Sequence, residues 1–267
     1  MKRPTQIVIL ITFLLGWCIV VSAQTNAQIE SRILGHLSNL EKWANQSGTG
    51  DFEALDKENR ILEKELLLYT QKASILKYDF PALAEKMTIV TSNDRKFRIY
   101  SWDDQAGGTG RYDYNIFQYE DKSGRSHSRS SGSREEGVVC SGWYDQIFQT
   151  NTRQGHIYLA NFTSACSNAL ANQGLSIFRI DGDKLNSKLK LIKTKSGLTN
   201  SIWFEYDFFS VVDHPERPVK LFFYDDERKA FRFPLVLEDP KFTNGGRVTD
   251  KFITYKFNGK YFVKVSR

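Results

Sequence analysis

The sequence predicts an α+β protein, a helical N-terminal segment followed by a mainly antiparallel β-rich domain built as a sandwich or as propeller-like meanders. Three observations carry this. Apolar residues recur at three- and four-residue steps within residues 28–86, the period changes to two from Met87 onward, and short turn signals separate the later apolar runs. The boundaries expected are 1–23 for a leader, 24–86 for the helical segment and 87–267 for the β-rich domain.

The leader comes first in the chain. Lys2 and Arg3 precede an apolar run over residues 7–21 that ends at Val21-Ser22-Ala23. A positive start, a short apolar middle and small residues at the cut are the layout of a secretory signal peptide, so export to the periplasm or beyond is expected, with the mature chain starting near Gln24. The run is shorter than the ~20 residues a spanning helix needs, and no stable transmembrane span is expected after cleavage. Leu15 and Gly16 suit a lipidated Cys18, but Trp17 stands where such a site needs a small residue. Lys2 and Arg3 are the only charges removed, so the formal charge falls from +6 to +4. That excess permits loose attraction to anionic surfaces and is too small to argue nucleic-acid binding.

Ile29, Ile33, Leu37 and Leu40 mark a first helix, broken by Asn45-Gln-Ser-Gly-Thr-Gly50. A second helix is expected from Asp51, with Phe52, Leu55, Leu62, Leu66 and Tyr69 along one stripe, and Pro81 opens a short turn over residues 82–86. In the β-rich part Phe97 and Ile99 alternate with Arg98 and Tyr100. Ile202, Phe204, Tyr206 and Phe208 alternate with Trp203, Glu205, Asp207 and Phe209, and the 231–235 and 253–257 stretches repeat the pattern. Asn258-Gly259 is the strongest hairpin signal, because both residues accept the positive φ angles of a type I′ turn. Residues 123–134 contain no apolar side chain and read as a solvated, mobile loop.

Two cysteines remain after cleavage. In an oxidising compartment Cys140 and Cys166 most simply pair, which would stabilise the fold by roughly 3 kcal/mol. Free thiols are the second reading. A metal site recruiting His156 and His127 is the third and lacks any close ligand spacing. No metal and no cofactor is expected.

The aromatic residues Tyr100, Trp102, Tyr112, Tyr114 and Trp143 gather in sequence around a glycine-rich turn, with Tyr144 next to them. Such rings stack on sugars or peptides, which makes these five the ligand-binding candidates; cross-strand packing explains the same residues with fewer assumptions. Gly107-Gly-Thr-Gly110 lacks the following helix and lysine of a phosphate cradle and reads as a strand connection. Trp102-Asp103 is a single copy of a propeller-type dipeptide, with no visible repeat. Glu205 and Asp207, two apart on a strand, resemble part of the Glu-x-Asp-x-x-Glu of laminarinase-like glycosidases, but Ser210 replaces the third acid. His36, His127, His156 and His214 have no nucleophile motif beside them.

Several segments resemble a group of uncharacterised secreted bacterial proteins. They are Phe97-Arg-Ile-Tyr-Ser-Trp-Asp103, Gly107-Gly-Thr109, Lys190-Leu-Ile-Lys-Thr-Lys195, Phe204-Glu-Tyr-Asp-Phe-Phe-Ser-Val-Val-Asp213, Arg217-Pro-Val-Lys220 and Tyr255-Lys-Phe-Asn-Gly-Lys-Tyr-Phe262. The resemblance implies a secreted module of fixed pattern and brings no activity with it. The expected function is an exported non-catalytic binding or structural module of the cell envelope, contacting an envelope glycan or another envelope protein. The alternatives are an envelope glycan hydrolase using Glu205 and Asp207, and a protein inhibitor of an extracellular enzyme.

Overall fold

The computed structural model describes residues 24–45, 51–131, 140–153, 155–212 and 219–265. The leader with Cys18, His214 and residues 132–134 therefore lie outside the described residues.

The apolar spacing near the N-terminus produces two antiparallel helices. Helix α1 (Asn26–Asn45) buries Ile29, Ile33, Leu37 and Leu40, and α2 (Phe52–Tyr69) buries Leu55, Leu62, Leu66 and Tyr69. Asp51 caps α2, its carboxylate accepting the Ala54 N–H at 3.0 Å. Phe52, at the first helical position, is exposed, so the stripe is buried only from Leu55 onward. His36 ties the pair together between Glu58 (2.7 Å) and Glu65 (3.2 Å). A third, five-residue helix α3 (Ala73–Lys77) precedes the Pro81 turn, and residues 81–86 form turns only.

Fifteen strands follow among the described residues, in three sheets. Strands β1 (Thr88–Thr91), β2 (Phe97–Asp103), β3 (Asp113–Glu120) and β4 (Ser126–Ser130) form a meander in that order. The second sheet holds β5 (Gly142–Thr152), β6 (Gly155–Ala165) and β7 (Leu170–Asp181), with β8 (Lys184–Asn186) paired to the end of β7. The third holds β9 (Ile192–Thr194) and β10 (Gly197–Thr199), then, after β11 (Ser201–Asp207) has returned to pair with β7, β12 (Phe223–Asp225), β13 (Ala230–Leu237), β14 (Arg247–Phe257) and β15 (Phe262–Lys264). Pairing is antiparallel throughout except between β15 and β9.

Side-chain parity stacks these layers. Tyr100, Trp102, Tyr114 and Ile116 face the helices. Their neighbours Phe97, Ile99, Phe117 and Tyr119 pack on Tyr158, Ala160 and Phe178 of the second sheet. The opposite face of that sheet, Ile157, Leu159, Leu175 and Ile177, packs on Phe231, Phe233, Tyr255 and Phe262 of the third. The result is a helical layer followed by three sheets in sequence order, one sheet more than a sandwich holds. β2 is buried on both faces, so even Arg98 is inside, donating to the carbonyls of Ile75 (3.0 Å) and Tyr78 (2.6 Å).

Two local expectations change. The serine-rich stretch contains β4, because its hydroxyls serve a helix end: Ser126 Oγ donates to the Thr70 carbonyl at 2.7 Å and Ser128 Oγ to the Leu67 carbonyl at 3.2 Å. The Asn258-Gly259 hairpin exists, but Phe257 pairs with Phe262 and leaves four residues in the turn. Gly259 has φ +96° but Asn258 does not have a positive φ, so no type I′ turn forms; the Asn258 N–H donates to the Tyr261 carbonyl at 2.9 Å, and its carboxamide oxygen accepts the N–H groups of Lys260 and Tyr261.

Candidate functional site

The helical layer decides the fate of the aromatic candidates. Trp102 is 1 % exposed, stacks on Tyr114 with ring centroids 5.0 Å apart, and donates Nε1–H to Asn59 Oδ1 at 2.9 Å. Tyr100 is fully buried and donates its hydroxyl to Gln118 Oε1 at 2.6 Å; burial pushes its pKa up to about 12. Tyr100, Trp102 and Tyr114 are thus core residues, and cross-strand packing under α1 and α2 is what they do. Tyr112 and Trp143 are half-buried.

Trp143 belongs to a clamp between the first two sheets. The Arg111 guanidinium lies 4.4 Å from its ring centroid, grips the Asp113 carboxylate through Nε (2.9 Å) and Nη2 (2.7 Å), and stands 3.6 Å from Asp103. The Arg111 N–H donates to the Ala165 carbonyl at 2.8 Å, and next to it Cys140 and Cys166 are disulfide-bonded with Cα atoms 5.0 Å apart. The glycines of the turn serve this close approach. A Cβ on Gly110 would come within 2.9 Å of the Cys166 carbonyl oxygen, and one on Gly107 within 2.1 Å of the Gly110 oxygen.

Burial raises the Asp113 pKa to about 7, against the opposing pull of Arg111. Between about pH 4 and 7 the native state therefore holds a proton that the unfolded chain has lost, and stability falls as pH rises through that window. Asp113→Asn is expected to remove this slope, so the difference between wild-type and variant unfolding free energies, followed by denaturant titration from pH 4 to 8, should track one proton.

The two strand carboxylates have separate duties. Asp207 is 3 % exposed: Oδ1 accepts the Phe209 N–H at 2.9 Å, and Oδ2 accepts the Asn244 N–H at 3.3 Å. It ends β11 and caps a 3-10 turn at Phe208–Ser210, so the continued strand alternation through Phe209 expected from sequence stops at Asp207. Ser210 Oγ, in the third acidic position, accepts the Val248 N–H at 3.2 Å. Asp207 is therefore neither a solvent-facing charge nor a free nucleophile. Glu205 alone is exposed.

Around Glu205 the register builds a platform. Trp203 and Phe162 both pair with Gly174, and Glu205 pairs with Asn172. The three central residues form one row across β6, β7 and β11 on a single sheet face. A Cβ on Gly174 would lie 2.3 Å from the Phe162 ring and 2.6 Å from the Trp203 Cβ, so glycine is what leaves room for the Phe162 ring over the strand beside Trp203; the Phe162 ring itself packs on Tyr144, centroids 6.0 Å apart. Trp203 is 56 % exposed. The sequence places Trp203 beside Glu205 but conceals Phe162 and Gly174, which only strand register brings alongside.

The described histidines hold structure. His127 Nε2 bonds Asp121 Oδ2 at 2.8 Å over Tyr119, and the Ser123 hydroxyl, then His127, hold the Asp121 carboxyl well below the usual range. His156 Nδ1 contacts Asn151 Oδ1 at 2.6 Å. Among the described residues no group of three or more His, Cys, Asp or Glu is placed to hold a metal ion, and no helix is long and apolar enough to cross a membrane. No family model, curated protein or solved structure matches the chain.

Proposed function

We propose that the chain is an exported, non-catalytic binding module of the cell envelope, and that the Trp203–Phe162 platform with Glu205 at its edge is its contact surface for envelope glycan. The observation that carries the reading is Trp203, a large indole left more than half exposed on a strand whose other face is core. An exposed indole beside an exposed carboxylate suits sugar rings, which offer an apolar face for stacking and hydroxyls for hydrogen bonds. Glycoside cleavage needs a second free carboxyl group about 5 Å or more away, and Asp207 is engaged in closing the strand end. The disulfide and the leader support an oxidising compartment. The resemblance to uncharacterised secreted proteins is consistent with this and adds no chemistry.

Co-sedimentation with purified peptidoglycan sacculi tests the proposal. Wild type should pellet, and Trp203→Ala should bind about 30-fold more weakly, a hot-spot loss of ~2 kcal/mol. Equal pelleting of the two proteins overturns the platform. Release of soluble fragments by wild type, lost in Glu205→Gln, would restore the hydrolase.

A further inference from the structure

A second concavity lies on the third sheet, away from the Trp203 row. β13 and β14 fall out of register between Pro234, which pairs with Phe252, and Val236, which pairs with Val248, so three residues of β14 oppose Leu235 alone. Pro234 has no N–H to offer the ladder. Over this parting sits a cavity of about 260 Å³, floored by the buried Val211, Leu221 and Pro234 together with Val248. That exceeds the ~150 Å³ of an apolar cavity that accepts benzene, enough for a medium acyl chain or one aromatic ring.

The rim is charged. Lys220 and Asp250 line the cavity and are exposed. The exposed Arg232 lays its guanidinium over two further lining rings, 4.8 Å from the Phe252 centroid and 5.3 Å from that of Phe223. None of these three charges takes part in an ion pair among the described residues. Among the described residues, two cations against one acid around an apolar floor favour an apolar body with an anionic head over a neutral or cationic one. Lys220 also acts on the buried Asp145, whose pKa burial raises and Lys220 opposes, so an anionic ligand shares that lysine with Asp145.

We propose that this cavity binds a small apolar carboxylate, its hydrocarbon part on Val211, Leu221 and Val248 and its head toward Lys220 and Arg232. The inference is independent of the glycan reading.

Calorimetric titration with sodium octanoate, octan-1-ol and octylammonium chloride tests it on the whole protein. Octanoate should bind at least tenfold more tightly than either analogue. Lys220→Glu, a surface change that leaves the floor intact, should weaken octanoate at least tenfold, and Val248→Phe should abolish its binding by filling the space. Absence of octanoate binding, octanol or octylammonium binding as well as octanoate, or wild-type affinity in a folded Lys220→Glu protein would each overturn the proposal.

Discussion

Replacing Trp102 by alanine is expected to destabilise the protein by about 3–5 kcal/mol, the cost of removing a large buried ring. The indole fills the space between the first sheet and α2, stacked on Tyr114, and no solvent reaches it. Its N–H satisfies Asn59 Oδ1, while Asn59 Nδ2 donates to the Leu55 carbonyl at 3.0 Å and the Asp104 carbonyl at 2.9 Å. That one asparagine joins helix, strand and the loop after the strand. Trp102→Phe should therefore retain most of the packing yet still lose about 1–3 kcal/mol, because a buried acceptor is left unpaired. Urea denaturation of the two variants separates the terms. A Trp102→Ala protein of native stability would mean that the helical layer does not cover the first sheet.

The second large effect concerns Cys140 and Cys166. Converting either to serine is expected to cost about 3–4 kcal/mol in the chain-entropy account, since the bridge closes a separation of 26 residues. The same bond holds the end of β6 against the Arg111–Asp113 clamp, and the Asn172 carboxamide donates to Cys166 Sγ at 3.4 Å. For a chain of this size each kcal/mol moves the melting temperature by about 2–4 °C, so the single-serine variants should melt roughly 10 °C lower. Reduction of wild type should reproduce that shift. Two titratable thiols in the unreduced protein, or a melting temperature indifferent to reductant, would contradict the pairing.

Much of the architecture was legible in residue periodicity. The Asp51 cap, the Leu55-to-Tyr69 stripe and the β11 alternation up to Tyr206 are all local, and local patterns survive folding. What sequence did not show was which face met which layer. Phe97 to Trp102 reads as a half-exposed alternating strand, yet both of its faces are covered, one by helices and one by a second sheet. Burial of Trp102 and exposure of Trp203 look alike in sequence: each indole lies in a strand among aromatic and acidic residues. β4 was hidden for a related reason, since its serines answer the open carbonyls at the end of α2 rather than an apolar neighbour. The platform needed register. Phe162, Gly174 and Trp203 lie on three different strands, and no spacing within one stretch announces them. The Pro234–Val236 cavity arises from a ladder irregularity that proline invites without specifying its depth.

The division between an inner and an outer indole is the claim on which the functional reading rests. Its most direct test is an NMR titration of the protein, ¹⁵N-labelled at tryptophan, with soluble disaccharide fragments of peptidoglycan. The Trp203 indole N–H signal should shift progressively and saturate, while the Trp102 signal stays fixed and slow to exchange with solvent. A Trp203 signal unmoved by saturating fragments, or a Trp102 signal that shifts in its place, would contradict the account.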